Sequence, residues 1–315
     1  MSLPRIGITL GDPGGIGPEI VVKALADGSS LPDARYLLFA NAFVLEDQER
    51  SLGLKLDRTR VFIREVETPL RGLKQGAPDK GNGAASFLYF QIAVQAAQAG
   101  EIHSLVTAPV SKTSWSLAGI SWRGHTEFLA RLYPGAIMTF WSEKMTVALF
   151  SHHLPLREAV SKITRQNLVD FFRALYHGVE RLKAGAHRFL VAGVNPHAGE
   201  DGLMGREEMD EILPAIEDAR REGMNIDGPF PPDTVFRRAL GRPGDIVVAL
   251  YHDQGLIPFK LAAFDSGVNV TLGMPFIRTS PDHGPAYDIA GKNLADARSL
   301  REAIRLAFEL APRAL

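Results

Sequence analysis

The amino-acid sequence predicts an α/β fold, two α/β domains with mixed, mostly parallel sheets, from three observations. The chain has 315 residues, more than one small core organises and enough for two domains. Short apolar runs rich in β-branched residues alternate with longer amphipathic stretches, the pattern of strand–helix–strand units. One pair of runs, 136–141 and 145–151, is separated only by "SEK" and reads as a hairpin, so at least one sheet is mixed.

In chain order, the expected strands are "RIGITL" (5–10), "RYLLFA" (35–40), "RVFIRE" (60–65), "SLVTAP" (104–109), "AIMTFW" (136–141), "MTVALFS" (145–151), "RFLVAGV" (188–194), "DIVVALY" (245–251) and "VNVTL" (268–272). Their branched and apolar content suits buried strands. Between them, "AASFLYFQIAVQAAQAGE" (84–101) combines helical periodicity with strong helix formers. The stretch 164–185 opens on a Thr cap and closes near Gly185. The stretch 206–224 carries acids early and arginines late, as the helix dipole favours. Residues 299–311 form a last helix. No linker, repeat or low-complexity tract marks a domain boundary.

Composition excludes several classes of function. A formal net charge of −1 gives no overall field toward nucleic acid or anionic lipid. There are no cysteines, so disulfides, iron–sulfur clusters, thiolate zinc sites and cysteine nucleophiles are ruled out. A metal must then be held by His, Asp, Glu or backbone oxygen. No run reaches the length of a membrane span, and "MSLPRIGITLGDPGG" lacks the regions of a signal peptide; a cytoplasmic protein is expected.

Three of the nine histidines follow expected strands. His153 lies in "FSHHLPL", His197 in "NPHAGEDG" and His252 in "YHDQG". Ligands of parallel α/β proteins bind at the carboxyl ends of strands, so three imidazoles could converge on one cation. Each could equally be a separate loop residue or cap. If "SHH" is extended, His152 points away from His153. Asp253 fits either a role beside the metal or a helix N-cap.

"RGHTEFLARLY" (123–133) sets His125 and Thr126 before a helix, as anion donors or simple capping residues. Lys260, Asn269 and Arg278, on neighbouring loops, would suit a phosphate: a point charge, an amide and a planar fork. "GDPGGIGPE" (11–19) fits neither the dinucleotide fingerprint nor a Walker A loop; it reads as a tight strand-to-helix turn or a wall of a cleft.

"DHGPAYDIAGKN" (282–293) resembles the "HGSAPDIAGK" loop of the isopropylmalate and isocitrate dehydrogenase class. There it holds the adenosine end of the nicotinamide cofactor. His283, Gly284, Ala286, Asp288, Gly291 and Lys292 match it, with Asn293 following. Together with "TAPVSK", "GHTEF", "HLPL", "NPHAGEDG", "YHDQG", "GVNVTLG" and "FIRTS", in that order, the chain resembles the 4-hydroxythreonine-4-phosphate dehydrogenase family of vitamin B6 synthesis over nearly its whole length.

That resemblance implies an isopropylmalate dehydrogenase-like homodimer with shared active sites, each subunit having two α/β domains around a cleft. Residues 1–125 with 278–315 would form the cofactor-side domain, and 126–277 the metal- and dimer-side domain. It implies His153, His197 and His252 as metal ligands, with His153 serving a site shared with the partner. His125, Thr126, Lys260, Asn269 and Arg278 match substrate binders, and Asp253 and Lys112 would act near the chemistry. The implied cofactors are NAD or NADP and one divalent ion per site, zinc, cobalt or magnesium. The implied reaction oxidises 4-phosphooxy-threonine and decarboxylates it to 3-amino-2-oxopropyl phosphate. A related phosphorylated sugar acid (threonate or erythronate 4-phosphate), a cis-dihydrodiol, or phosphate acyl transfer by a similar fold are the competing readings.

Overall fold

The computed structural model describes residues 3–27, 31–70, 72–182 and 187–311. In chain order the elements are β1 (Arg5–Thr9), α1 (Gly17–Ala26), β2 (Arg35–Ala40), α2 (Ala42–Leu52), β3 (Val61–Glu65), α3 (Lys80–Gln98), β4 (Ser104–Thr107), α4 (Lys112–Leu117), α5 (His125–Leu132), β5 (Ile137–Trp141), β6 (Thr146–Leu149), α6 (Leu156–Ser161) and α7 (Arg165–Glu180). They continue with β7 (Arg188–Ala192), α8 (Leu213–Arg221), β8 (Ile226–Phe230), α9 (Val235–Ala239), β9 (Asp245–Ala249), α10 (His252–Ala263), β10 (Val268–Leu272), β11 (Ile277–Pro281) and α11 (Arg298–Leu310). The described chain divides into two compact units, 1–134 with 275–315, and 135–274.

In the first unit the strands run β3–β2–β1–β4–β11, all parallel. Helix α3 lies on β1, β2 and β4, and α11 on β11 and β4. The start of α3 is set by Asp79, whose carboxylate accepts from the Gly81 and Asn82 amides. That cap begins the helix four residues before the expected 84. Gly83 lies in its first turns because a Cβ there would stand 2.0 Å from the Ser114 carbonyl oxygen of α4.

In the second unit the order is β10–β5–β6–β9–β7–β8. The expected hairpin is present as antiparallel β5 and β6; β10 is antiparallel to β5, and β6, β9, β7 and β8 are mutually parallel. The sheets are therefore mixed and mostly parallel. Phe140, Val147, Leu149, Leu190, Val247, Leu256 and Phe259 form the centre of this unit's core. Thr164 caps α7 by accepting from the Asn167 amide; of the helix expected over 164–185, residues 183–185 lie outside the described ones.

Two expectations are corrected. The helix expected over 206–224 is a wide turn, Glu208–Ile212, followed by α8. Pro214 has no N–H to give the carbonyl four residues back, so the helix widens before it. Strands β8 and β11 were not expected: "IDGPF" is interrupted by Gly and Pro, and "IRTSP" is too polar to read as an apolar run.

Candidate active site

Strands β6, β9 and β7 are adjacent and parallel, and their carboxyl ends lead to His153, His252 and His197 respectively. The "SHH" segment is not extended. His153 has φ 51°, and the turn keeps His152 beside it, ring centroids 5.3 Å apart and nearly perpendicular. The expectation that His152 points elsewhere is thus corrected. His153 and His252 rings lie 5.6 Å apart. His152, His153, His252 and Asp253 line one cavity of about 270 Å³. Burial, with His153 and His252 close by, pushes the His152 imidazole down to about 4.

Asp253 does not cap α10; the cap position is Tyr251, with no side-chain bond. Instead its Oδ1 lies 2.7 Å from His252 Nδ1. A carboxylate accepts there, so Nδ1 carries the proton and Nε2 keeps its lone pair, as in metal-ligating histidines. Gln254 is buried, accepts from the Leu250 amide and donates to the Gly193 carbonyl, so it ties the His252 loop to the start of the His197 loop. Gly255 follows because a Cβ would stand 2.7 Å from Leu149 Cδ2 and 2.9 Å from Ala249 Cβ.

His197 stands on an unusual backbone. Residues His197, Ala198, Gly199, Glu200 and Asp201 all have positive φ, between 43° and 80°. For the four non-glycine residues this costs about 1–2 kcal/mol each. The His197 ring is 63% exposed, with Glu200 Oε2 3.6 Å from Nδ1. Among the described residues, no three His, Asp or Glu side chains close round a point where a cation could sit. The single chain brings His153 and His252 together and does not bring His197 into a common set with them.

In the first unit, Arg278 of β11 is 3% exposed. Its Nε and Nη2 donate to Thr107 Oγ1 at 3.0 and 2.5 Å, and Nη2 donates to His125 Nδ1 at 3.1 Å. No carboxylate pairs with it among the described residues. Burial pushes the guanidinium down to about 9, which leaves it a cation at neutral pH. His125 is held well below 6.5 by burial and by Arg278, so the ring is neutral. Since Nδ1 accepts, the proton sits on Nε2, and that buried atom has no partner. The ring packs against Phe90 and Trp115, centroids 4.4 and 5.6 Å away.

Capping by Thr126 is not realised: the α5 cap is Gly124, with φ 122° and no side-chain bond. A Cβ on Gly124 would lie 3.9 Å from Lys112 Cε, so Lys112 passes beside the His125 turn. The expectation that Lys260, Asn269 and Arg278 sit on loops is corrected: they lie in α10, β10 and β11. The Asn269 Oδ1 is buried without a partner.

The 282–293 loop packs on the "GDPGG" turn. A Cβ on Gly15 would stand 2.7 Å from Pro285, and the Ile16 amide donates to the Pro285 carbonyl at 2.9 Å. Asp12, fully buried, accepts from Tyr287 Oη at 2.7 Å and from the Gly14 amide at 2.8 Å. Burial holds its carboxyl above the usual carboxylate range. His283, Gly284, Asp288 and Lys292 are exposed, and Ala286 has φ 42°. Asn293 is engaged within the fold: its Nδ2 donates to Ser51 at 3.1 Å and its carbonyl accepts from Lys23 at 3.0 Å. Sequence reasoning missed Thr107, Glu208, Gln254 and Tyr287, whose partners are remote in the chain or backbone atoms; Thr107, Gln254 and Tyr287 stood inside the quoted motifs "TAPVSK", "YHDQG" and "DHGPAYDIAGKN", and Glu208 did not.

Comparison with known proteins identifies these segments. The family model "Pyridoxal phosphate biosynthetic protein PdxA" matches residues 26–307. A 4-hydroxythreonine-4-phosphate dehydrogenase of Chromobacterium violaceum is 42% identical, over 98% of this chain and 97% of its own. A Halalkalibacterium halodurans protein provisionally named D-threonate 4-phosphate dehydrogenase is 38% identical, over 98% and 97%. The crystal structure of a 4-hydroxythreonine-4-phosphate dehydrogenase from Burkholderia phymatum superimposes with a TM-score of 0.85 at 36% identity, covering 100% of both chains. The chain therefore belongs to the PdxA family of pyridoxal phosphate biosynthetic proteins.

Proposed function

We propose that this chain is a dehydrogenase that oxidises 4-phosphooxy-threonine with NAD or NADP and releases carbon dioxide, giving 3-amino-2-oxopropyl phosphate in vitamin B6 synthesis. The observation that carries this reading is the buried Arg278, a cation with no carboxylate beside it among the described residues. A buried charge left unpaired is expensive, so such a site is built for an incoming anion. His125 adds an unspent donor at Nε2 and Asn269 an unspent acceptor at Oδ1. With Thr126 and Lys260, they form the proposed substrate set.

His153, His197 and His252 are the proposed ligands of a divalent ion, zinc, cobalt or magnesium. The donors fit such an ion: His153 and His252 adjoin one cavity, and Asp253 holds the His252 tautomer. When bound, the ion would supply Lewis-acid polarisation of a substrate oxygen, and the nicotinamide would supply the hydride acceptor. The residues of this chain do the rest. Arg278 and His125 anchor the phosphate end and thereby fix the carbon to be oxidised. Asp253, which would polarise the site through His252, and Lys112, near the substrate, are the proposed catalytic groups. His283, Gly284, Ala286, Asp288, Lys292 and Asn293 form the proposed cofactor loop, with Asn293 holding its shape through Ser51 and Lys23.

One chain brings only two of the three imidazoles together, so the reading calls for a second copy. Helix α10, which begins at His252, exposes Ile257 and Leu261 by 60 and 84%, and Phe264 at its C-cap is 79% exposed. An apolar stripe at that spacing favours burial against another surface, and a homodimer is the proposed arrangement.

D-Threonate 4-phosphate is the second reading, because a buried guanidinium recognises its phosphate equally. A dihydrodiol without a carboxylate offers no anion for Arg278. The test is turnover of 4-phosphooxy-threonine, D-threonate 4-phosphate and unphosphorylated 4-hydroxythreonine with NAD or NADP, with and without chelator. The expected result is chelator-sensitive reduction of the nicotinamide with a phosphorylated substrate. Equal turnover of the unphosphorylated compound would overturn the assignment of Arg278.

A further inference from the structure

We propose that Glu208 is the positioning residue for His197: its buried carboxylate builds and holds the left-handed turn that presents the imidazole. The proposal rests on the reading of His197 as a metal ligand. Glu208 is 2% exposed, and its contacts go to the two residues that lead into the turn. The Val194 and Asn195 amides donate to Oε1 at 2.7 and 2.8 Å, and Asn195 Nδ2 donates to Oε2 at 2.8 Å. Glu207 Oε2 accepts from the same Nδ2 at 2.7 Å.

The carboxylate is also the wall that sets which residues fit. A Cβ on Gly199 would stand 2.7 Å from Oε2, and one on Gly193 3.0 Å from Oε1. The backbone of Pro196–Gly202 is a single 3₁₀-type turn, and around it Ala198 donates to the Asn195 carbonyl at 3.1 Å, Leu203 to Glu200 at 3.2 Å and Met204 to Gly199 at 3.1 Å. A run of left-handed L-residues does not persist unless its surroundings over-determine it. Glu208 supplies that determination from the first residue of the wide turn Glu208–Ile212, a helical irregularity of the kind that re-aims side chains at functional sites. No cation pairs with Glu208 among the described residues, so the turn's own donors are what keep the carboxylate buried. The outcome of this burial is one exposed ring at the carboxyl end of β7.

The test compares wild type, Glu208→Ala, Glu208→Gln and His197→Ala as full-length proteins. Zn(II) and Co(II) dissociation constants are read by competition with a fluorescent chelator, beside melting temperature and kcat at saturating metal. His197→Ala is expected to abolish tight binding. Glu208→Ala is expected to weaken it about 10–100-fold, the size typical of lost outer-shell support, with kcat recovering at saturating metal because the ligand itself remains. Glu208→Gln is expected to restore most of the affinity, since its Oε1 accepts both amides. Unchanged metal affinity in Glu208→Ala, with only a lower melting temperature, would overturn the proposal. Unchanged affinity in His197→Ala would instead remove the ligand reading beneath it. Should Glu208→Ala fail to fold, Asn195→Ala removes the Nδ2 bonds to Glu208 Oε2 and Glu207 Oε2 and leaves both amide bonds to Oε1; weaker metal binding in it supports the proposal and wild-type binding overturns it.

Discussion

A guanidinium buried against a threonine hydroxyl and a neutral imidazole is expected to destabilise the ligand-free chain and to stabilise it on binding an anion. Replacing Arg278 with Met is expected to leave the ligand-free melting temperature at or above wild type, while abolishing the upward shift produced by inorganic phosphate. Replacing it with Ala is expected to raise KM for a phosphorylated substrate about 10–100-fold, the worth of lost charge-assisted bonds. His125 gives a pH expectation. Its folded-state pKa lies well below 6.5, so below pH 6.5 the unfolded chain takes up a proton that the fold does not. Stability is then lost as pH falls from 6.5 toward the folded value. Denaturant titrations at pH 7 and pH 5 are expected to show a smaller difference in His125→Asn than in wild type. At this scale the sequence showed which residues carry charge or an imidazole, and Arg278 and His125 do meet. It did not show Thr107, which holds Arg278 across 171 positions, or Glu208, two of whose three partners are backbone amides that carry no residue type.

Among the elements, α10 packs so closely on β6 and β9 that position 255 admits no side chain. Gly255→Ala would press on Leu149, Ala249 and Val147. It is expected to cost about 1–3 kcal/mol by overpacking, and to weaken metal binding because the helix carries His252. A melting curve with a chelator competition reads both. Thr164→Ala removes the α7 cap and is expected to cost about 1 kcal/mol with no change in metal affinity. Elements with a run of branched apolar residues were legible, and the range 35–40 expected for β2 is the range observed. Those that failed did so for local reasons: Asp79 began α3 ahead of two glycines that look like breakers, Pro214 split the acidic helix, and β11 is polar in sequence although all five of its residues are buried.

For the whole molecule, the α/β class was legible from alternation, while the order β6–β9–β7 was not, because which strands lie side by side is decided by packing between segments remote in sequence. That order is what gathers three histidine-bearing loops on one edge. The family was legible from the conjunction of short motifs. The stripe on α10 could not be found before its helical face was known to lie outside the core. Leu261→Glu, on that stripe, is expected to halve the mass measured by sedimentation and to lose bound metal with it; a variant that stays dimeric at micromolar concentration would count against this interface. The Gln254 side chain adds a last consequence, since a single amide joins the loops that bear His252 and His197. A compound wedged beneath α10 would loosen both loops at once, and would thereby inhibit without competing for either the substrate or the nicotinamide pocket.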